Sequence, residues 1–280
     1  MVYITGDTHG VFKKFNSFCY KNKTTKEDVM IVLGDFGLNF YTNNYNNINY
    51  LETKLAAMPL TFFCIHGNHE ARPEHFPARY KEKEWNGGIV FCSDNAPNVL
   101  FAKDGEIYNI NNKKVFVCGG AYSVDKYYRL NRWLLGNLFK LRENLDETIY
   151  IYEKTTDLVF SDNIENKLTV DNFIDTNDFE FGWWKDEQPS EAVKKHCEDV
   201  LQKENWDVDI VLTHTCPLKY EPKEMFIEGI AQDLIDKSTE EWLDKIENKL
   251  NYKKWYCGHF HTDKVVDNIE FMHKEIKRFD

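Results

Sequence analysis

Three short apolar runs mark the first seventy residues of the chain, at residues 2–5, 29–33 and 60–65. Each run is closed by a polar loop that contains glycine, so we predict three buried β-strands. Amphipathic spacing at residues 11–20 and 45–58 predicts a helix after each of the first two strands. Strands that alternate with helices favour a parallel sheet in an α/β protein, where ligands bind at the carboxyl ends of the strands.

The helical pattern stops between residues 88 and 121. Short apolar segments there are divided by Asn, Asp and Gly turns, which predicts a meander that forms a second sheet. The α/β pattern resumes at Ser190, a predicted helix N-cap followed by apolar spacing to Leu201. Further predicted elements are strands at 209–213 and 254–257, a helix at 238–250 capped by Ser238 or Thr239, and a tail at 264–279 that completes the second sheet.

Residues 124–189 interrupt this organisation with a sequence rich in Asn, Asp, Tyr and Trp. We expect an insertion or cap over the cleft, and the alternative is an ordinary irregular layer of the main domain. No internal repeat, low-complexity segment or linker divides the sequence. We therefore expect a single domain over residues 1–280 that carries this insertion.

A net charge of −11 at pH 7 narrows the range of partners. An acidic surface disfavours non-specific nucleic-acid binding, which needs Lys and Arg to meet phosphates, but it permits a nucleotide in a metal-loaded cleft. The seven cysteines include no C-x-x-C pair, which favours free thiols in a reducing compartment. Neither a signal-peptide pattern nor an apolar stretch of ~20 residues is present. We expect a soluble, cytoplasmic protein without membrane partners; the sequence does not indicate its oligomeric state.

Five polar motifs, each following an apolar strand, contain the residues that could bind metal ions or take part in catalysis. Alone, a Gly-Asp-x-Gly or Gly-His-x-His motif is often a turn, but five in succession have the composition of a site for Mn, Fe, Zn or Ni. Residues two apart in an extended backbone face the same side, so we expect Asp7 with His9, and His259 with His261, to point into one cleft. Eight donors are too many for one ion, which favours two ions that share a carboxylate. The donors are Asp7, His9, Asp35, Asn68, His69, His214, His259 and His261.

The order Asp-x-His, Gly-Asp, Gly-Asn-His-Glu, His and Gly-His-x-His resembles the calcineurin-like metallophosphoesterase superfamily. The resemblance runs from Gly6 to His261. It implies an α/β fold in which a sandwich of two β-sheets is flanked by helices, with a dinuclear metal centre at the strand ends. It further implies that one metal is held by Asp7, His9, Asp35 and His261, and the other by Asp35, Asn68, His214 and His259.

The same resemblance implies hydrolysis of a phosphate ester by a metal-bridging hydroxide. His69 would bind neither metal; it would stabilise the transition state or protonate the leaving oxygen, a role that suits the pKa of an imidazole. Beside it, Gly67 is expected to allow the tight turn. A hypothesis for Glu70 is that it orients a neighbouring imidazole from behind the ligands.

Two departures from the family pattern bear on the substrate. Protein Ser/Thr phosphatases of the superfamily have Asp-Arg-Gly at the second motif, whereas Phe36 follows Asp35 here. Its DNA-repair nucleases carry large extra domains, for which this chain has little room. A small phosphodiester or nucleotide is therefore the preferred substrate. Protein or monoester phosphatase, nuclease and a non-catalytic scaffold of the same fold remain as alternatives.

Candidate substrate contacts follow from chemistry alone. An arginine three residues past His69 could bind a phosphate with its forked guanidinium, with a surface salt bridge as the alternative. Residues just after the predicted meander could hold a phosphate and stack a base together with Trp133, Trp183 and Trp184, although aromatic side chains are more often core. The candidate contacts are Arg72, Tyr122, Ser123, Asp125 and Arg129.

Overall fold

The computed structural model describes residues 1–41, 45–126, 129, 182–228, 230 and 232–279. In this part of the chain the first of two sheets has seven strands. They lie in the order β13 (Lys277–Arg278), β1 (Val2–Thr5), β2 (Val29–Val32), β3 (Thr61–Cys64), β6 (Ala96–Ala102), β5 (Gly88–Ser93) and β4 (Tyr80–Trp85). The four strands β1, β2, β3 and β6 are parallel, and the remaining three are antiparallel to their neighbours.

The second sheet has six strands among the described residues. Their order is β11 (Lys264–Val266), β12 (Ile269–Phe271), β10 (Lys254–Cys257), β9 (Ile210–Thr213), β8 (Lys113–Cys118) and β7 (Ile107–Ile110). Strands β12, β10, β9 and β8 are parallel, whereas β11 and β7 pair antiparallel at the edges. The five polar motifs follow β1, β2, β3, β9 and β10, so each sheet contributes motifs from the carboxyl ends of adjacent parallel strands.

An apolar layer joins the inner faces of the two sheets. Ile4, Ile31 and Phe63 lie side by side in the register of the first sheet, and Val117 pairs with Leu212 in the second. All five side chains are fully buried and belong to one cluster. The alternation of strand residues thus places every second side chain of both sheets in a shared core, and the predicted two-sheet α/β fold is confirmed.

Helices cover the outer faces of this sandwich. The first sheet packs against α1 (Lys13–Asn22) and α2 (Tyr45–Ala56), whose inward faces include Phe15 and Leu55. The second sheet packs against α3 (Glu191–Lys203) and α4 (Ser238–Glu247). Both pairs bury an apolar stripe against a sheet, as amphipathic helices do.

The two predicted helix caps had different outcomes. Ser190 accepts a hydrogen bond from the backbone N–H of Val193 at 3.3 Å, so the predicted N-cap of α3 is confirmed. The predicted cap of α4 by Ser238 or Thr239 is wrong. Lys237 occupies the cap position without a side-chain cap, and the hydroxyl of Thr239 donates to Gln188 instead.

The predicted meander does not form one sheet. Strands β5 and β6 extend the first sheet, and only β7 and β8 join the second. The tail also divides: β11 and β12 lie in the second sheet as predicted, but β13 pairs with β1 in the first. Strand β4 was not predicted, because its middle is an exposed charged run, Lys81-Glu82-Lys83-Glu84, with no apolar alternation.

Compact packing divides the chain into a unit of Met1–Tyr122 with Asp186–Asp280, and a second unit of Ser123–Lys185. The second unit falls near the predicted insertion at 124–189, whose role stays a prediction. Trp133, the first of the three predicted stacking tryptophans, lies outside the described residues. All seven cysteines are free thiols. In the described part of the chain, no helix combines the length and the apolarity that a membrane crossing requires.

Candidate metal centre

Hydrogen bonds between loops bring the five motifs together at the strand ends. The backbone N–H of His9 donates to the carbonyl of Asp35 at 2.8 Å, and that of Gly258 donates to the carbonyl of His214 at 2.9 Å. The N–H of His259 then donates to Oδ1 of Asp7 at 3.0 Å. These bonds tie loops of both sheets into one polar cluster.

Asp7, His9 and His261 form the first group of converging donors. Their ligand atoms lie within 4.8 Å of one another. Nε2 of His261 is 3.1 Å from Oδ2 of Asp7, and Nε2 of His9 is 3.0 Å from Nε2 of His261. Asp7 is buried while both imidazoles reach solvent, so the group lies at the open side of the cluster.

Asp35 connects the first group to the second. Its Oδ2 lies 3.7 Å from Nε2 of His9, and its Oδ1 lies 3.7 Å from Nε2 of His214. The side chain is almost fully buried and is held by the backbone N–H of His69, which donates to Oδ1 at 2.7 Å. One carboxylate therefore faces imidazoles from two different loops.

Asn68, His214 and His259 lie beyond Asp35. Nδ1 of His214 donates to the carbonyl of Leu33 at 2.8 Å, so Nε2 is the ring nitrogen that faces the cluster. That Nε2 is 2.8 Å from Oδ1 of Asn68, and the ring of His259 lies edge-on at 5.0 Å between centroids. Asn68 and His214 are buried.

The donor set fits divalent cations. Oδ2 of Asp7 is buried and accepts no well-aligned hydrogen bond, although Nε2 of His261 is close to it. Nε2 of His214 and Oδ1 of Asn68 also lie 2.8 Å apart. A buried acceptor such as Oδ2 of Asp7 is expensive unless a donor or a cation lies beside it. Mixed carboxylate, amide and imidazole ligands suit transition metals.

The pKa values of three candidate ligands also favour metal binding. Burial opposes ionisation of Asp35, but the imidazoles of His69, His214 and His9 hold its pKa well below the usual range. Burial similarly opposes ionisation of Asp7, while His261 and His214 lower its pKa overall. Burial and the neighbouring His214 lower the pKa of His259 to about 3. The carboxylates are therefore ionised and His259 is neutral, which are the forms that bind metal.

Four of the candidate ligands have left-handed backbones: φ is 45° at His9, 46° at Asp35, 64° at His259 and 51° at His261. The extended-strand argument for the His9 and His261 pairs is therefore wrong, because these residues lie in turns beyond the strand ends. Non-glycine residues in this region cost about 1–3 kcal/mol each and concentrate at functional sites. The turns, rather than strand alternation, aim the side chains inward.

Glycines make close approach of the loops possible. Gly67 has no left-handed φ, and a Cβ placed on it would lie 2.0 Å from Oδ1 of Asp35. A Cβ on Gly258 would lie 2.3 Å from Oδ1 of Asp7. The expectation that Gly67 is needed for the turn is thus corrected: the glycine provides room for the carboxylate of Asp35.

Glu70 has a different role from the one hypothesised. Its carboxylate accepts hydrogen bonds from the backbone N–H groups of Phe36 and Gly37, both at 3.1 Å, rather than holding an imidazole. Burial and the charge of Asp35 raise the pKa of Glu70 to about 8. The residue fixes the loop that carries Asp35, and so it supports a ligand through the backbone.

His69 lies next to the ligands and is partly exposed. Its ring is edge-on to His9 with centroids 5.2 Å apart, and one ring nitrogen is within 4.8 Å of ligand atoms of both His9 and Asp35. The position of the ring would allow His69 either to bind a metal ion or to act as a general acid. The assignment of His69 as an acid that binds neither metal therefore stays a prediction.

Arg72 is mostly buried and lies in a network with Asp104 and Asp186. Its Nη1 donates to Oδ2 of Asp104 at 2.6 Å, and its Nε donates to the carbonyl of Asp186 at 2.9 Å. Oδ1 of Asp104 in turn accepts from the N–H of Gly119. The salt bridge considered as the alternative is present, but it is largely buried, since the side chains of Arg72 and Asp104 are 12% and 5% exposed. Contact between Arg72 and a substrate phosphate stays a prediction.

The other predicted substrate contacts belong to different parts of the chain. Tyr122 ends the sandwich unit, whereas Ser123, Asp125 and Arg129 belong to the second unit. The guanidinium of Arg129 binds Asp125 twice, at 2.8 and 2.9 Å, and donates to the carbonyl of Gly182. Trp183 and Trp184 are buried. Substrate contact by these residues stays a prediction.

His273 contacts a candidate ligand although it belongs to none of the five polar motifs. Its ring stacks on His261 with centroids 4.6 Å apart and planes inclined by 28°. No motif surrounds it, and it is twelve residues away in the tail, so no local pattern could have indicated this contact.

A family model of calcineurin-like phosphoesterases matches residues 1–263. The chain therefore belongs to the calcineurin-like phosphoesterase family, and it is a metal-dependent hydrolase of phosphoester bonds. No curated protein sequence matches it significantly.

Proposed function

We propose that the chain hydrolyses a small phosphodiester or nucleotide at a centre of two divalent ions, with Mn, Fe, Zn and Ni as candidates. The observation that carries the proposal is the placement of Asp35, with one oxygen 3.7 Å from His9 and the other 3.7 Å from His214. A carboxylate that faces imidazoles from two loops would be placed to bind two ions at once. The seven free thiols also favour a reducing compartment such as the cytoplasm.

The two ligand sets that the family resemblance implies would share this carboxylate. Ions bound in them would polarise the phosphoryl oxygens and activate water as the nucleophile. The first set is Asp7, His9, Asp35 and His261, and the second is Asp35, Asn68, His214 and His259. Asp35 belongs to both, and its low pKa keeps it ionised over the working range.

His69 would handle the proton of the leaving group. Its backbone is fixed to Asp35 by a 2.7 Å hydrogen bond, so the ring is held at the edge of the ligand cluster. Partial exposure lets the ring reach a bound substrate and exchange protons with solvent. Donation of a proton to the departing oxygen would avoid release of an unstable alkoxide.

The side chain after Asp35 supports a small substrate over a phosphoprotein. Phe36 is fully buried and packs against Phe12 and Phe62, with ring centroids 4.8 and 5.4 Å apart. Where the superfamily's protein phosphatases have an arginine, this chain points an aromatic ring into its core. The position therefore offers no cation to a phosphoserine or phosphothreonine.

The test is hydrolysis of bis(4-nitrophenyl) phosphate and 4-nitrophenyl phosphate by protein loaded with Mn²⁺ or Ni²⁺. We expect turnover by the wild type, none by Asp35→Ala, and unchanged turnover by Asp94→Ala, which replaces a highly exposed aspartate in a turn. Inactivity of correctly loaded wild type on both esters, or full activity of Asp35→Ala, would contradict the proposal.

A competition assay then defines the substrate class. Cyclic nucleotides, dinucleoside phosphates, a phosphopeptide and single-stranded DNA would compete for hydrolysis of the chromogenic diester. We expect the small nucleotides to compete best. Stronger competition by the phosphopeptide or by DNA would favour a protein phosphatase or a nuclease.

A further inference from the structure

The C-terminal tail reaches the candidate metal centre although it lies outside the family match, which ends at residue 263. In the tail, the ring of His273 lies almost parallel to that of His261, with centroids 4.6 Å apart. His9 packs edge-on against the same ring, with centroids 5.1 Å apart. The ring of His261 therefore contacts two other imidazoles: His9 is perpendicular to it and His273 is stacked on it.

The turn that carries His273 is fixed by side chains on both sides. The carboxylate of Asp263, two residues past His261, accepts from the backbone N–H groups of residues 273, 274 and 275 at 2.8, 3.2 and 3.4 Å. The hydroxyl of Thr5 donates to the carbonyl of Glu275 at 2.8 Å. Lys14 donates in turn to the oxygen of Thr5 at 3.0 Å.

The tail also crosses directly over the start of the first motif. A Cβ on Gly6 would lie 1.9 Å from the carbonyl oxygen of Met272, so only glycine permits this crossing. The turn at residues 273–275 is thus anchored both to the loop of His261 and to the strand that leads into Asp7. A rigid anchor on both sides makes the ring of His273 a fixed surface.

His261 is the candidate ligand that most needs such a surface. Its side chain is 48% exposed, whereas those of Asp7 and Asp35 are 0% and 2% exposed. An exposed side chain loses rotamer freedom when it binds a metal, and a stacked ring reduces that loss in advance. We infer that His273 is a positioning residue that holds His261 in the orientation for metal binding. This inference rests on the proposed dinuclear centre.

The surroundings of His273 indicate that its flat ring makes the contact with His261, and that no hydrogen bond from Nδ1 is involved. Its Nδ1 is buried and has no hydrogen-bond partner among the described residues. A flat apolar ring at this position would therefore preserve the stacking contact without leaving a new polar group unpaired. A flexible polar side chain would not preserve it.

The test compares His273→Ala, His273→Gln and His273→Phe with wild type, and uses Glu275→Gln as a control on the same turn. Mn²⁺ binding is measured by isothermal titration and by electron paramagnetic resonance of the bound ions. Thermal unfolding of each metal-free variant is recorded alongside. Glu275 is a suitable control because its exposed side chain pairs with Lys277 and not with the ligands.

We expect one of the two ions to bind about 10-fold more weakly in His273→Ala and His273→Gln, as is typical when a group that orients a ligand is removed. His273→Phe and Glu275→Gln should bind like wild type, and all metal-free variants should unfold at similar temperatures. The inference is overturned if the Ala and Gln variants bind both ions like wild type, or if Phe is as weak as Ala. Wild type that binds none of Mn²⁺, Fe²⁺, Zn²⁺ and Ni²⁺ overturns the proposed function itself and with it this inference.

Discussion

Oδ1 of Asn68 lies 2.8 Å from Nε2 of His214, whose other ring nitrogen donates to the carbonyl of Leu33. The backbone contact fixes the orientation of the ring, so Nε2 faces Asn68. An imidazole nitrogen and an amide oxygen held this close are placed to bind one cation. The carbonyl of Leu33, just after strand β2, thus orients the ring of a candidate metal ligand.

Gly67→Ala should disrupt the centre. The added Cβ would lie 2.0 Å from Oδ1 of Asp35, so either the carboxylate or the loop must move. We expect loss of metal and of activity. Gly87→Ala is the matched control: it has a left-handed φ of 87° but open space around it. The control should cost about 1–2 kcal/mol of stability from backbone strain alone and keep its metal. Metal content and thermal unfolding of both variants are measured. Normal metal content in Gly67→Ala would show that Asp35 does not need the room that Gly67 leaves.

His69→Asn should lower kcat by about 10²–10⁴-fold while metal content stays normal, because general acid catalysis typically contributes this much. The loss should be smaller for a 4-nitrophenolate leaving group, which needs little protonation, than for an alcohol. Steady-state kinetics on both kinds of ester, with metal analysis, measure this. Loss of an ion in His69→Asn would instead identify the residue as a ligand.

Arg72→Met should destabilise the fold. Removing the cation leaves Asp104 buried and unpaired, and breaking a buried ion pair from one side costs about 3–5 kcal/mol. The double variant with Asp104→Asn should recover part of this loss. Urea unfolding measures both. If Arg72 acts only as a phosphate contact, the single variant will unfold like wild type and only KM will rise.

Glu240 should make stability depend on pH. Burial raises its pKa to about 7 from an unfolded value near 4.5, although the hydroxyl of Thr215 donates to it. The folded state binds the proton more tightly, so the stabilisation is complete below pH 4.5 and is lost as pH rises through 7. Glu240→Gln removes this dependence. Unfolding midpoints at pH 5 and pH 8 should therefore differ less in the variant than in wild type; an equal difference would contradict the assignment.

The sequence was informative where a strand and its chemistry lie next to each other. Asp35 follows an unbroken apolar run, and Gly-His-x-His at 258–261 follows another, so strands and candidate ligands were identified together. Allocation of β5 and β6 to the first sheet could not be predicted, because pairing partners far apart in sequence leave no local pattern. Strand β4 was concealed by the exposed charges that protect an edge strand from aggregation.

Backbone conformation and long-range packing are further features that the sequence does not predict. The left-handed φ of Asp35 and His259 depends on loops from both sheets, and nothing in their own sequence indicates it. The contact of His273 with His261 depends on a turn held by Asp263. Residues of this kind are located only when the tertiary structure brings them together.

Anomalous diffraction from crystals of the Mn²⁺-loaded protein tests the central claim most directly. We expect two anomalous peaks about 3.5–4 Å apart, with the carboxylate of Asp35 in contact with both. A single peak, or two peaks that do not share Asp35, would contradict it.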